Sequence, residues 1–142
     1  MNQKTMIILN KEVIPIQKEH DVVFMRNRIA QYADKIQMGL LNKTKLLTAA
    51  SELVRNMLNY AGGGRISCEV ISMSALQTGI RLTFTDKGPG IKDIELAMKD
   101  GYTTGKTLGL GLPGARRLVN LFDIKSELGK GTTVVITKWK NG

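Results

Sequence analysis

Glu52 and Asn56 stand four residues apart in a stretch whose apolar residues recur at helical spacing. Both side chains therefore fall on one face of a helix, beside a core stripe carried by Leu53, Val54 and Met57. A carboxylate and a carboxamide presented together have complementary uses. The amide oxygen is a hard ligand of the kind Mg²⁺ takes, and the carboxylate can accept a proton from an attacking hydroxyl. The same two residues could also sit on a solvated face, with Glu52 paired to Arg55. A second candidate is Asp86, which closes an alternating stretch and opens Asp86-Lys87-Gly88-Pro89-Gly90. Asp, Gly and Pro are ordinary turn residues. An acceptor-only carboxylate followed by small residues also suits the exocyclic amino group of a base lying against the backbone.

Two familiar phosphate motifs fail in the glycine-rich region. Gly105-Lys106-Thr107 resembles the end of a P-loop, but Gly101 precedes Gly105 by four positions where the loop needs five. Gly109-Leu110-Gly111-Leu112-Pro113-Gly114 fits the dinucleotide pattern in letters only, because polar residues precede it where a strand is required. The shared physics survives both failures. Glycines let backbone N–H groups approach an anion, and a helix N-terminus behind them adds a favourable dipole.

The elements that must hold these residues follow from periodicity. Thr5–Ile14 reads as an edge strand ended by Pro15. Val22, Met25, Ile29, Ala33 and Ile36 mark a helix from Asp21, and Leu46, Leu47, Ala50, Leu53, Val54, Met57 and Leu58 mark another from Thr44. Gly39 and Gly62–Gly64 punctuate their ends. Ile66, Cys68 and Val70, then Ile80, Leu82 and Phe84, alternate with polar residues as half-buried antiparallel strands around a Gln77–Gly79 turn. Residues 87–112 form a polar, glycine-rich segment long enough to be a ligand lid. Pro113 suits the first turn of a helix reaching about Phe122, and strands follow near Ile124–Leu128 and Thr132–Trp139. The expected fold is α+β, a two-layer sandwich of a mostly antiparallel sheet covered on one face by helices, in the order βααβββαββ.

Composition narrows the class. The 142 residues fit a single domain, 1–142, with a substantial core. The apolar run Met6–Leu9 is too short for a signal peptide or membrane span, so a cytoplasmic location and no membrane association are expected. One cysteine, Cys68, excludes an intramolecular disulfide and suits a buried strand position in a reducing compartment. The lone histidine, His20, cannot build a His-rich metal site. The net charge of +9 could attract nucleic acid. However, the cations are scattered and aromatic residues make up only 5%, so no nucleic-acid partner is expected; an anionic nucleotide or acidic protein explains the excess.

Four separated motifs then come in a known order: Glu52-x-x-x-Asn56, Asp86-x-Gly88-x-Gly90, Gly109-x-Gly111 and Gly131-Thr132. Together they resemble the gyrase, chaperone, histidine-kinase and mismatch-repair (GHKL) ATPase superfamily over nearly the whole chain. The resemblance implies a Bergerat-type ATP-binding fold with ATP and Mg²⁺ as cofactors. It implies Asn56 on Mg²⁺, Asp86 on the adenine amino group, and Gly88 and Gly90 lining the base pocket. Gly105, Gly109 and Gly111 would form the phosphate lid, with Lys106 reaching a phosphate and Thr132 near the adenine through water. Asn59 stands where many relatives carry a basic residue, which shifts triphosphate contacts onto the lid.

Within the superfamily, Glu52 stands where histidine kinases carry Asn, and 142 residues with one histidine leave no room for their phosphoacceptor domain. The sequence is similar to the small bacterial serine kinases that regulate partner-switching modules. Ser51-Glu52-Leu53-x-Arg55-Asn56, Tyr60-Ala61-Gly62 and the 109–117 segment resemble the stressosome switch-kinase branch more than the anti-sigma factors. That likeness implies Glu52 as the catalytic base toward a serine hydroxyl, a STAS-domain protein as substrate or scaffold, and a phosphatase as second partner. A homodimer stays open. The alternative is an anti-sigma binding module that sequesters a sigma factor.

Overall fold

The structure is a computed structural model and describes residues 5–74, 77–99 and 111–142. Its strands are β1 (Ile7–Ile16), β2 (Gly64–Ser74), β3 (Gln77–Thr85), β4 (Leu121–Glu127) and β5 (Gly131–Trp139). Its helices are α1 (Glu19–Lys35), α2 (Leu40–Ala61), a single turn α3 (Ile94–Ala97) and α4 (Gly111–Leu118). The strands form one sheet in the order β1-β2-β3-β5-β4, with every neighbouring pair antiparallel.

Alternation fixes which face of the sheet is apolar. Ile14, Ile66, Phe84, Val134 and Ile124 lie in register across all five strands and join the core. The stripes Val22-Met25-Ile29-Ala33 of α1 and Leu46-Ala50-Leu53-Val54-Met57 of α2 belong to the same cluster. Each fully buried Ile or Leu contributes about 1.5–3 kcal/mol. The next residues along each strand, Arg65, Thr85, Thr133 and Lys125, share a second register row of opposite parity. That face carries the Glu69–Arg81 ion pair at 2.8 Å. The two-layer α+β sandwich thus has one apolar and one polar sheet face.

Several local expectations change. The order βααβββαββ contains one strand too many: among the described residues, β3 and β4 are separated only by helices α3 and α4. Pro15 does not end β1 but lies inside it opposite Arg65, which an edge strand with one paired neighbour tolerates. Gln77 and Gly79 belong to β3, paired with Ser74 and Ile71, rather than to a turn. Helix α2 starts at Leu40, four residues before Thr44, and Leu40 and Leu41 are exposed, so the apolar stripe could not reveal its first turn. Phe122 belongs to β4 because α4 stops at Leu118.

Helix α1 is fixed at two points. At its start the Asp21 carboxylate turns back and accepts from the backbone N–H groups of Gln17 and Lys18 at 2.8 and 3.0 Å, which satisfies donors the helix leaves free. In its middle, Glu12 of β1 accepts from Arg28 Nη2 at 2.7 Å, from Arg28 Nε at 3.0 Å and from the Tyr32 hydroxyl at 2.7 Å. The Arg28 guanidinium, then the Tyr32 hydroxyl, hold the Glu12 carboxyl below its usual 4.5. A carboxyl depressed on folding stabilises the native state above its unfolded value, and that contribution is lost as pH falls through the lower folded value. Glu12→Gln should therefore cost about 1–2 kcal/mol at neutral pH. The deficit relative to wild type should shrink once pH drops below 4.5, as urea unfolding at pH 7 and pH 3 would show. Cys68 lies opposite Glu12 on β2, and burial first, the Glu12 charge second, push its thiol up to about 12. It stays protonated and packs as a small apolar residue.

Candidate functional site

The strand ends that carry Asp86 and Thr132 face the C-terminal half of α2 across a pocket of about 540 Å³, including its open mouth. Helix α2 supplies Leu53, Asn56, Met57, Tyr60 and Ala61; the sheet supplies Phe84, Asp86, Thr132 and Val134. The loop Pro89–Ile91 and Leu112 of α4 close the remaining sides. A largely apolar slot with one carboxylate, one carboxamide and the hydroxyl-bearing Tyr60 and Thr132 suits a flat heteroaromatic ring with a polar edge.

Asp86 follows the last residue of β3, and its environment is built by its own motif. Its Oδ1 accepts from the Gly88 N–H at 2.9 Å and from the Thr132 N–H at 3.3 Å, while its own N–H donates to the Thr132 carbonyl at 3.0 Å. Oδ1 is thus engaged in holding the turn, which leaves Oδ2 as the acceptor for a ligand. Two glycines make this possible by close approach. A methyl on Gly88 would come within 2.5 Å of Ala61 Cβ and 3.2 Å of Asp86 Oδ1. Gly131, at φ +119°, packs directly on the Asp86 carbonyl, where no side chain fits. Gly90, at φ +80°, lines the pocket and rests on the Glu127 carbonyl in the same way. The Gly129 N–H donates to the Pro89 carbonyl at 2.9 Å, so the whole 88–91 loop is docked on the β4–β5 hairpin.

Glu52 and Asn56 do share a face of α2, and that face meets the start of α4. A methyl on Gly111 would lie 3.0 Å from Asn56 Nδ2 and 3.4 Å from Glu52 Cβ. Asn56 lines the pocket, and among the described residues its buried Nδ2 has no hydrogen-bond partner. Leaving a buried amide unpaired costs about 1–3 kcal/mol, so this position fits a ligand group. Half a turn of the carboxamide exchanges oxygen and nitrogen, so the same place can offer an oxygen to a cation or an N–H to a phosphate. Among the described residues no group of three His, Cys, Asp or Glu gathers to cage a metal. A single amide oxygen fits Mg²⁺, which keeps several waters and is usually shared with substrate phosphates. Glu52 is half-buried and lies beside this point, outside the walls of the base pocket.

The structure therefore brings Asn56, Asp86, Gly90 and Thr132 around one pocket, with Glu52 and Gly111 at its helix-facing end; Gly88 is not among its walls but packs against Ala61 and Asp86 beside it. Gly105, Lys106 and Gly109 lie outside the described residues. Asn59 is exposed and is not among the pocket walls. Sequence reasoning missed the apolar walls Met57, Tyr60, Leu112 and Val134, which look like ordinary core residues.

This fold and site define a nucleotide-binding protein, and residues 42–141 match the family of histidine kinase-, DNA gyrase B- and HSP90-like ATPases. The chain belongs to that family. Among individual proteins it is similar to the serine/threonine-protein kinase RsbT of Bacillus subtilis, with 36% identity over 92% of this chain and 97% of the relative. It is also similar to the anti-sigma F factor of Caldanaerobacter subterraneus, with 28% identity over 87% of this chain and 89% of that protein. A solved structure of the RsbU and RsbW domains of Rv1364c from Mycobacterium tuberculosis superposes with a TM-score of 0.64 at 16% identity. That likeness, over 91% of this chain and 32% of the solved one, speaks for the fold alone.

Proposed function

We propose that this chain is an ATP- and Mg²⁺-dependent protein serine/threonine kinase of a partner-switching stress-signalling module, acting in the cytoplasm on a STAS-domain partner, with a phosphatase as second partner. The observation that carries this reading is the Glu52–Asn56 face of α2, set against the start of α4 at one end of a pocket whose other end holds the Asp86 carboxylate.

Asp86 Oδ2 accepts from the amino group of the base, and the apolar walls from Leu53 to Val134 exclude water from its ring. Asn56 would hold Mg²⁺ through its amide oxygen, and the start of α4, which packs against Asn56, would face the phosphates. A Mg²⁺ held there would supply charge neutralisation to the phosphoryl group being transferred. Glu52, outside the base pocket but next to Asn56, orients the hydroxyl of the partner serine and takes its proton. The similarity to RsbT at 36% identity supports a kinase.

The test is transfer. The purified chain is incubated with labelled ATP, Mg²⁺ and lysate of the source organism, and any labelled protein is identified. Label on a small STAS-domain protein is the expected result. ATP hydrolysis with no labelled protein would sink the kinase reading and favour a detached ATPase. The similarity to anti-sigma F factors supports a second reading, a module that sequesters a sigma factor. Affinity capture separates the two, since the second predicts recovery of a sigma factor and the first a STAS-protein assembly.

A further inference from the structure

Two open hollows meet at the Asp86 end of the sheet, beside the pocket described above, and share Thr85, Asp86 and Lys87. With their open mouths they measure about 1040 and 710 Å³, and together they make one trough. Register fixes its direction. Arg65, Thr85, Thr133 and Lys125 stand opposite one another across β2, β3, β5 and β4, on the sheet face turned away from the helices. Three steps between neighbouring strands make about 14 Å. Lys87 falls between the two ends, since it lines both hollows and a methyl on Gly131 would lie 2.9 Å from its Cα.

Charge in the trough is unbalanced. Elsewhere Arg28 is bound to Glu12, Lys43 to Asp34 and Arg81 to Glu69, at 2.7, 2.8 and 2.8 Å. Arg65, Lys87 and Lys125 are exposed and make no ion pair among the described residues. Two carboxylates line the trough, and both are engaged: Glu127 is bound to Lys130 at 3.0 Å, and Asp86 Oδ1 accepts from the Gly88 and Thr132 N–H groups. Asp123, two residues from Lys125, is not among the lining residues. Like charges gathered in this way repel one another until an anion lies between them. We propose that the trough is a docking surface for an acidic protein segment, lying extended across β2, β3, β5 and β4. An extended chain rises about 3.3 Å per residue, so about five residues span Arg65 to Lys125, and carboxylates at alternate positions meet successive cations. The hydroxyls of Thr85 and Thr133, between the two ends, can donate to the backbone carbonyls of that chain. Other polyanions fit less well. Among the described residues the lining has no aromatic side chain on which bases could stack, and no long apolar side chain to enter a lipid surface.

The probe is a fluorescein-labelled peptide of alternating glutamate and serine, titrated with the full chain and read by anisotropy at low and at physiological salt. Wild type should bind it, more weakly as salt rises. The triple variant Arg65→Gln, Lys87→Gln, Lys125→Gln should weaken binding roughly 10-fold or more, each exposed ion pair being worth up to about fivefold. A control triple with the same loss of charge, Lys35→Gln, Lys92→Gln, Lys99→Gln, removes exposed cations outside the trough and should change binding by less than about twofold. The double variant Arg65→Lys, Lys125→Arg keeps every charge and should bind like wild type, which separates loss of charge from loss of the fold. Equal weakening by the two Gln triples would reduce the effect to net charge and overturn the site, as would a wild-type chain that does not bind the peptide or a charge-keeping double that loses it. Tighter binding of an oligothymidylate or of phosphatidylserine vesicles than of the peptide, lost in the same trough variant, would overturn the choice of a protein partner. None of the three trough cations lines the nucleotide pocket, so ATP affinity should stay within about threefold in their Gln variant. Peptide binding and nucleotide binding thus succeed or fail separately.

Discussion

Glu52→Ala should leave ATP affinity within about threefold of wild type and lower phosphoryl transfer to the partner by roughly 10²–10⁴, the usual worth of a positioned general base. The separation of the two effects follows from position. Glu52 is absent from the walls of the base pocket, so removing its carboxylate takes no contact from the ring. It is one helical turn from Asn56 and packs beside Gly111, where the proposed function has the attacking hydroxyl meet the phosphates. Titration with ATP gives the affinity, and single-turnover transfer to the partner gives the rate without product release. Glu52→Gln refines the result, because the amide keeps the size and can hydrogen-bond a hydroxyl but takes up no proton. A Gln variant as slow as the Ala variant identifies proton acceptance as the lost function, while a Gln variant near wild type reduces Glu52 to orienting the acceptor. Wild-type transfer by Glu52→Ala would remove Glu52 from the chemistry.

What could be read in advance, and what could not, divides by the range of the interaction. Helical stripes such as Val22-Met25-Ile29 and alternations such as Ile80-Leu82-Phe84 are local patterns imposed by burial of one face, and both appear in the structure as expected. Asp86-x-Gly-x-Gly was legible because its backbone demands are local: Gly90 adopts a positive φ, and Gly88 donates to the carboxylate two residues before it. The walls at Met57 and Val134 come from elements far apart in sequence, and nothing distinguishes them from other core residues in the chain itself. Helix α3 is one turn long, too short to show a period, although Asp93 caps it by accepting from the Leu96 N–H at 3.0 Å. Ser126 did leave a trace, as a polar residue in an apolar phase of alternation. Only the fold, which brings Ile91 and Thr132 to it from 35 and 6 residues away, turns that irregularity into a network.

Asp86→Asn should have the opposite signature to Glu52→Ala: ATP affinity should fall by roughly 10²–10³, and transfer should fall with it because no nucleotide is held. The amide oxygen of Asn can still accept from the Gly88 and Thr132 N–H groups, so the turn and the docking of the 88–91 loop should survive. In that orientation the new NH₂ takes the place of Oδ2 and points a donor at the amino group of the base. A charge-assisted hydrogen bond is thus replaced by two donors facing each other in a slot walled by Met57, Phe84 and Val134, where little water can relieve them. Rotating the amide would rescue the base contact only by turning the donor onto two backbone N–H groups, which costs as much. Asp86→Ala is less informative, since it removes the acceptor from both N–H groups and lowers stability together with affinity. Calorimetric ATP titration alongside a thermal melt distinguishes the cases. A normal melting temperature with lost binding places the effect on the base edge, and an Asn variant that binds ATP within a few-fold of wild type would show that the ring is held by its apolar walls rather than by Asp86.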